Sequence, residues 1–321
     1  MRRLVLALPA SFTAALVSAA VAAANNGLSP VKPESPNAES IRTTYWVILA
    51  VTGVIFLLVE AALVLFIFRF RSRGRKRDQE AAQIHGATRL ETSFTVVPVL
   101  ILAGIMAFVF VKLPKIKDVP PANAAGAALK IRVEGHQYYW LFRYPNGETA
   151  VQHMVVPLNR VVTLDVTSPD VAHSWWVPAL GGKIDAIPGR TNHTWFQARK
   201  IGRYEVRCAE FCGLEHAHMI GFVDVVSADR YKAFLASHTG VSAALGREIF
   251  EGSCALCHGL AGEGDYGPKI QGNATINDPK ALEDLLRHGK NKMPPVGATW
   301  DETTMNSATS YLKRRLSGGQ G

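Results

Sequence analysis

Two thiols, an imidazole and a thioether lie within one short stretch of the chain, Cys208-Ala-Glu-Phe-Cys-Gly-Leu-Glu-His-Ala-His-Met219. Thiolate sulfur combined with imidazole favours copper. A disulfide between Cys208 and Cys212, or half of a zinc site, is the alternative interpretation. Neither alternative uses Met219 or a second histidine from another segment. We expect that second histidine to be His173, on a loop that follows a predicted strand.

A second pair of thiols belongs to the motif Cys254-Ala-Leu-Cys-His258. This spacing is typical of c-type haem attachment, in which both thiols bond to the porphyrin and the histidine takes one axial position. A redox-active cysteine pair or a zinc half-site is the competing interpretation. With the haem assignment, all four cysteines of the chain have a role.

Two long apolar runs, Tyr45 to Phe68 and Ser93 to Val111, each reach the roughly 20 residues that span a bilayer. The loop between them is rich in lysine and arginine, especially from Arg69 to Arg77. Positive loops stay on the cytoplasmic side, so the chain after the second span is predicted to be exported. This placement of charge also explains much of the net charge of +9 without a nucleic-acid partner.

The first residues combine Met-Arg-Arg, an apolar zone from Leu4 to Val21 and three alanines before Asn25. This order is typical of a secretory signal peptide. A further membrane helix is the alternative, which Pro9 and the short, alanine-rich run disfavour.

The exported part is predicted to contain an all-β domain followed by an all-α domain. Short strands are expected at Lys130–Val133, Val161–Val166, Thr194–Ala198, Arg203–Arg207 and Gly221–Val226. Helices are expected at Asp229–Ser237, Ala244–Phe250 and Glu302–Leu316. The predicted bounds are 1–24 for the signal peptide, 41–113 for the transmembrane helix hairpin, 128–226 for the β domain, 227–243 for a linker and 244–321 for the helical domain.

The sulfur and histidine pattern resembles the dicopper domain of cytochrome c oxidase subunit II. The resemblance extends to the two-helix anchor, to Gly135-His-Gln-Tyr-Tyr-Trp140 and to Lys183-Ile-Asp-Ala-Ile-Pro-Gly-Arg190. It implies a cupredoxin-like fold with two thiolates bridging two coppers. The implied dicopper (CuA) ligands are His173, Cys208, the backbone carbonyl of Glu210, Cys212, His216 and Met219.

The same resemblance implies further roles. The Glu210 carboxylate would reach a magnesium or manganese ion at the boundary with subunit I, or be a solvated acid. Glu91 would begin a proton path into subunit I, although an acid is also favourable at a helix N-terminus. The family usually has tryptophan where this chain has Tyr138, so electron input through Tyr138 and Trp140 is in question.

The C-terminal domain resembles small class I cytochromes c, which implies haem c bound covalently at Cys254 and Cys257, with His258 and Met293 as axial ligands. Fusion of this domain to subunit II is characteristic of caa3-type haem-copper oxidases. Histidine and methionine ligation raises the haem potential and leaves no axial position for oxygen.

The resemblance implies the electron-input subunit of a respiratory cytochrome c oxidase in a bacterial inner membrane. Electrons would pass from cytochrome c, or from an upstream quinol-oxidising complex, through haem c and copper to subunit I, with other oxidase subunits as partners. The corresponding subunit of a nitric oxide reductase and a membrane-anchored copper-delivery protein are the rival interpretations. A copper-delivery protein would have no use for covalent haem.

Overall fold

The computed structural model describes residues 30–71, 83, 86–121, 126–238 and 240–316. The predicted signal peptide and most of the basic loop lie outside these residues. The chain divides into two compact units. One comprises Glu39–Asp118, and the other comprises Met1–Ala38 together with Val119–Gly321.

Two long helices account for most of the smaller unit: α1, Pro36–Arg69, and α2, Thr88–Lys117. Both are long and apolar enough to cross a membrane, and their central side chains are exposed. The helices extend beyond the predicted hairpin bounds of 41 and 113. Pro36 suits a first helical position because its fixed φ is already helical and its missing N–H is not needed there. Pro114, just beyond the predicted hairpin, is inside α2.

The β domain is a sandwich of two five-stranded sheets. Their spatial orders are β3-β2-β1-β5-β8 and β4-β10-β9-β6-β7. The strands are β1 Leu129–His136, β2 Tyr139–Arg143, β3 Thr149–Val151, β4 His153–Pro157, β5 Val161–Thr167, β6 His173–Trp176, β7 Ile184–Ala186, β8 Asn192–Gln197, β9 Gly202–Cys208 and β10 Ile220–Val226.

The five predicted strands are all present, within one to three residues at their ends. Strand β1 shows why: Ile131 and Val133 are fully buried, whereas Lys130 and Arg132 point to solvent. Such alternation places one face of a strand in the core. The expectation for His173 was wrong in one respect, because this residue is the first of β6 and not part of a loop.

Helix α3, Ala228–Ser237, follows β10 directly. Tyr231, Phe234 and Leu235 pack against the core of the β sandwich. Much of the predicted linker at 227–243 is therefore a part of the β domain, because its apolar side chains at helical spacing pack against the sandwich.

The C-terminal domain is helical, as predicted. Its helices are α4 Ala243–Ile249, α5 Ala255–His258, α6 Ala274–Asn277, α7 Pro279–His288 and α8 Glu302–Leu316, with a π-helical turn at Phe250–Cys254. Helices α4 and α8 pack closely at Gly246, where a side chain would collide with the Ser307 carbonyl. Helix α7 was not predicted, although Asp278 caps it and Pro279 begins it.

Strand β2 joins the two globular domains, because it is buried on both faces. Trp140 and Phe142 point into the sandwich core. Tyr139 and Leu141 point the other way and share a core with helices of the C-terminal domain, including Leu245. The two domains therefore lie in one packed body, which fixes the candidate sites relative to each other.

Candidate metal and haem sites

The end of β9 and the loop that leads to β10 carry most of the candidate copper ligands. Cys208 is the last residue of β9, and β10 begins one residue after Met219. Strand β6 pairs with β9, with Trp175 opposite Cys208, and this register brings His173 to the same end of the sheet. Sheet pairing thus joins segments that are distant in sequence.

The donor atoms converge in a small volume. The Cys208 and Cys212 Sγ atoms are 3.8 Å apart. His173 Nδ1 lies 3.8 Å from Cys208 Sγ, and His216 Nδ1 lies 3.5 Å from Cys212 Sγ. Met219 Sδ lies 3.8 Å from Cys212 Sγ.

At a separation of 3.8 Å the two sulfurs are not joined as a disulfide, whose S–S bond is about 2.05 Å. The Glu210 carbonyl oxygen, 3.2 Å from Cys208 Sγ, completes the set. All six predicted ligand positions therefore meet at one place, and their soft sulfur and imidazole donors fit copper. The Glu210 side chain is exposed, and its link to magnesium stays a prediction.

The cysteine pair shows how the site would accept a cation. Cys208 and Cys212 share a hydrogen bond between their sulfurs, which lowers the pKa of Cys208 although burial opposes its ionisation. The pKa of Cys212 is raised because its thiol is hydrogen-bonded to the Cys208 sulfur and because it is buried. A bound metal would displace the remaining proton, since thiolates are the ligands.

Asp170 was not identified from the sequence as a functional residue. Its carboxylate accepts a hydrogen bond from His173 Nε2 at 2.8 Å, and the buried imidazole therefore turns Nδ1 toward the sulfurs. Backbone N–H groups of Gln137 and Val171 also donate to Asp170 and hold it in place. Partners of this kind orient metal ligands. The sequence did offer one indication of this role, since Asp170 lies three residues before the candidate ligand His173.

The two aromatic residues considered for electron input lie beside the copper loop, which comprises residues 208–219. The Tyr138 hydroxyl accepts a hydrogen bond from Leu214 N, and burial raises its pKa. Trp140 is fully buried, and its indole ring contacts the His173 imidazole edge-on with centroids 6.1 Å apart. Trp140 is thus a core residue in contact with a candidate ligand.

Three of the four candidate haem residues, all except Cys257, line a cavity in the C-terminal domain. Its walls include Cys254, His258 and Met293 with a mostly apolar remainder. His258 Nδ1 donates to the Pro268 carbonyl at 2.7 Å, which leaves Nε2 free to bind a metal. A side chain at Gly267 would collide with this imidazole. The donor set, the cavity and the fixed tautomer all fit covalent haem.

The copper loop and the haem attachment segment lie close together. Burial raises the pKa of Cys257, and the charge of Glu215, a copper-loop residue, adds to this shift. A second cavity is lined by His218 and Ile220 on one side and by Leu256 and Leu260 on the other. His218 itself is exposed and pairs with Glu215.

Glu91 lies in the first turns of α2. Its Oε1 atom accepts a hydrogen bond from the Ala87 backbone N–H at 3.1 Å. This contact satisfies one of the N–H groups that a helix start leaves without a partner. A role in proton uptake stays a prediction.

Comparison with known proteins gives three family matches along the chain. Residues 24–112 match "Cytochrome C oxidase subunit II, transmembrane domain", and residues 147–226 match "Cytochrome C oxidase subunit II, periplasmic domain". Residues 241–312 match "Cytochrome C oxidase, cbb3-type, subunit III". The matches imply copper in the first soluble domain and haem c in the second.

Individual relatives agree with these matches. Cytochrome c oxidase subunit 2 of Alkalihalophilus pseudofirmus is 33% identical over 95% of this chain and 95% of its own length. Cytochrome c oxidase subunit 2 of Cereibacter sphaeroides is 31% identical over 64% of this chain and 78% of its own length. A crystal structure of the periplasmic domain of the Bradyrhizobium japonicum subunit is 36% identical, with a TM-score of 0.35, and covers 37% of this chain and 96% of that one.

The near full-length relative and the three successive matches lead to one conclusion. The chain belongs to the cytochrome c oxidase subunit 2 family, as a membrane-anchored member with a cytochrome c domain at its C-terminal end.

Proposed function

We propose that this chain is the electron-input subunit of a respiratory oxidase and passes electrons from haem c to a dicopper centre. The observation that carries the proposal is the packing of both candidate sites in one body, where His218 of the copper loop and Leu256 of the haem attachment segment line the same cavity. A fixed arrangement of two redox sites suits transfer within the chain.

The residues that would hold the copper pair are His173, Cys208, Glu210, Cys212, His216 and Met219. The residues that would hold haem c are Cys254, Cys257, His258 and Met293. When bound, these groups would supply one-electron exchange.

The protein contributes position and shielding to this exchange. Asp170 holds His173 in the tautomer that presents Nδ1. Burial of both copper-loop thiols and of Met219 excludes water from the donor cluster. Because β9, β10 and β6 anchor the loop on three strands, the donor atoms need to move little between redox states.

From copper, electrons would pass to subunit I, where oxygen is reduced to water with proton translocation. The oxygen-reducing site belongs to that subunit. Other oxidase subunits, and cytochrome c or a quinol-oxidising complex as donor, complete the proposed assembly. The proposed location is a bacterial inner membrane, with the soluble domains on the periplasmic side. Glu210 is proposed to reach magnesium at the subunit I boundary, and Glu91 to take up protons.

The proposed route of electron input through Tyr138 and Trp140 changes when the cytochrome c domain is part of the same chain. With the cytochrome domain packed against β2, Trp140 would receive electrons from within the chain, and not from a soluble protein docked on an exposed ring. Its contact with His173 supports this direction.

Flash reduction of the assembled oxidase tests the proposal. A photoactivated ruthenium complex would reduce haem c, and the haem c α-band and the near-infrared copper band would be followed together. We expect haem c to be reoxidised on the time course on which copper is reduced. Copper reduction without a haem c intermediate would contradict the proposal.

A further inference from the structure

Gln152 lies where the chain crosses from one sheet of the sandwich to the other, between β3 and β4. Its φ of 62° is in the left-handed region, which non-glycine residues seldom adopt. Surrounding contacts therefore hold this residue in place.

Those contacts use every polar group of Gln152. Its backbone N–H donates to the Trp140 carbonyl at 2.8 Å, and its carbonyl accepts from Phe222 N at 2.6 Å. In the side chain, Oε1 accepts from Trp140 N at 3.1 Å, and Nε2 donates to the Gly252 carbonyl at 3.4 Å. The side-chain amide thus connects β2 of the β domain to the C-terminal domain.

Each end of this connection leads to a candidate redox site. On one side, the Trp140 indole contacts the His173 ring. On the other side, Gly252 is two residues before Cys254 and belongs to the same π-helical turn. A Cβ atom at Gly252 would lie 2.5 Å from Gln152 Cγ and 2.8 Å from Val151 Cγ1, so only glycine permits this approach.

We propose that Gln152 is a positioning residue that couples haem c electronically to the dicopper centre; this inference rests on the proposed function. Its amide completes a path of covalent and hydrogen bonds from Cys254 through the Gly252 carbonyl to Trp140. The edge-on contact between the Trp140 and His173 rings extends this path to a candidate copper ligand. One electron leaves the haem iron and one arrives at copper. Gln152 itself is neither oxidised nor reduced.

Gln152→Leu and Asp301→Asn separate this role from simple adhesion between the domains. Gln152→Leu keeps a side chain of similar size without hydrogen bonds. Asp301→Asn weakens the same domain interface elsewhere, because it removes the 2.7 Å ion pair with Arg143. It keeps an oxygen that can cap Thr304 N.

Gln152→Glu supplies a conservative rescue. An ionised carboxylate can accept from Trp140 N but cannot donate to the Gly252 carbonyl, whereas the protonated acid can do both. Transfer in this variant should therefore quicken as pH falls through the pKa of the introduced acid. Glu248, Glu251, His153 and His218 line the neighbouring cavity in every variant, so wild type at each pH is the reference.

The experiment uses the flash-reduced assembled oxidase and, independently, hydrogen exchange of the peptide that contains Trp140. We expect Gln152→Leu to slow haem-to-copper transfer about tenfold. Loss of a residue that supports metal ligands typically costs about 10–100-fold in activity, and this value is the lower limit of that range. Exchange at Trp140 N should rise in the same variant. Asp301→Asn should leave both measurements near wild type.

Equal rates in Gln152→Leu and Asp301→Asn would overturn the inference, as would unchanged exchange at Trp140 or a flat pH profile for Gln152→Glu. These failures differ from failure of the proposed function, in which wild-type haem c would not reduce copper at all. If Gln152→Leu does not assemble, the pH profile of Gln152→Glu decides.

Discussion

Replacement of Tyr139 by phenylalanine tests the packing between the two soluble domains. The Tyr139 hydroxyl donates to the Val296 carbonyl at 2.6 Å and accepts from Trp300 Nε1 at 2.9 Å, and the tyrosine side chain is fully buried. Burial raises the pKa of Tyr139 well above its usual value, so the hydroxyl stays a donor. The substitution leaves a buried carbonyl and a buried indole N–H without this partner.

A buried polar group that loses its partner costs about 1–3 kcal/mol, so the two together should cost about 2–6 kcal/mol. The loss should fall on the cytochrome c domain, since Val296 and Trp300 belong to it and follow Met293 closely. Tyr144→Phe is the matched control. Its hydroxyl also makes two hydrogen bonds, both to the Val155 backbone within the β domain.

The assay is urea unfolding of the purified complex, with methionine ligation of haem c reporting on the C-terminal domain. Tyr139→Phe should lower the urea midpoint of this signal, whereas Tyr144→Phe should leave it near wild type. An unchanged midpoint in Tyr139→Phe, or equal shifts in the two variants, would refute the packing argument.

Two further predictions concern ionisable groups. Burial alone would lower the pKa of His238, but its hydrogen bond to Glu248 and the charge of that residue raise it above the ordinary 6.5. The stability that this pair contributes is complete below about pH 6.5 and is lost as pH rises through the raised pKa of His238. Glu248→Gln removes the pair, so it should flatten the pH dependence of the unfolding midpoint above pH 6.5. Glu91→Gln should leave flash reduction of haem c and copper intact and slow reduction of the oxygen site in subunit I; equal rates in stopped-flow measurements would assign Glu91 to the helix end alone.

Much of the site could be predicted from sequence because its determinants are local. The spacing from Cys208 to Met219 and the motif from Cys254 to His258 each place several donors on one short segment. Strands such as β1 were recognisable from the alternation of Ile131 and Val133 with charged residues. In the structure His173 lies in this cluster, although it begins a strand.

The parts that sequence reasoning missed depend on contacts between distant segments. Strand β2 is buried on both faces, so it shows no alternation of apolar and polar residues. Tyr139 points away from the sandwich core, and it is buried only because the C-terminal domain covers it. The bonds from Gln152 to Trp140 and Gly252 join three segments that no local pattern relates.

The central claim is that this chain holds a copper pair and a haem at separate ligand sets. Electron paramagnetic resonance of the purified oxidase, with a covalent haem stain, tests it most directly in Cys212→Ser, with Cys254→Ser as the matched variant. We predict that Cys212→Ser loses the mixed-valence copper signal and keeps covalent haem, because Cys212 lies only in the copper cluster. Cys254→Ser should keep the copper signal while its haem attachment is impaired. An intact mixed-valence signal in Cys212→Ser would contradict the account.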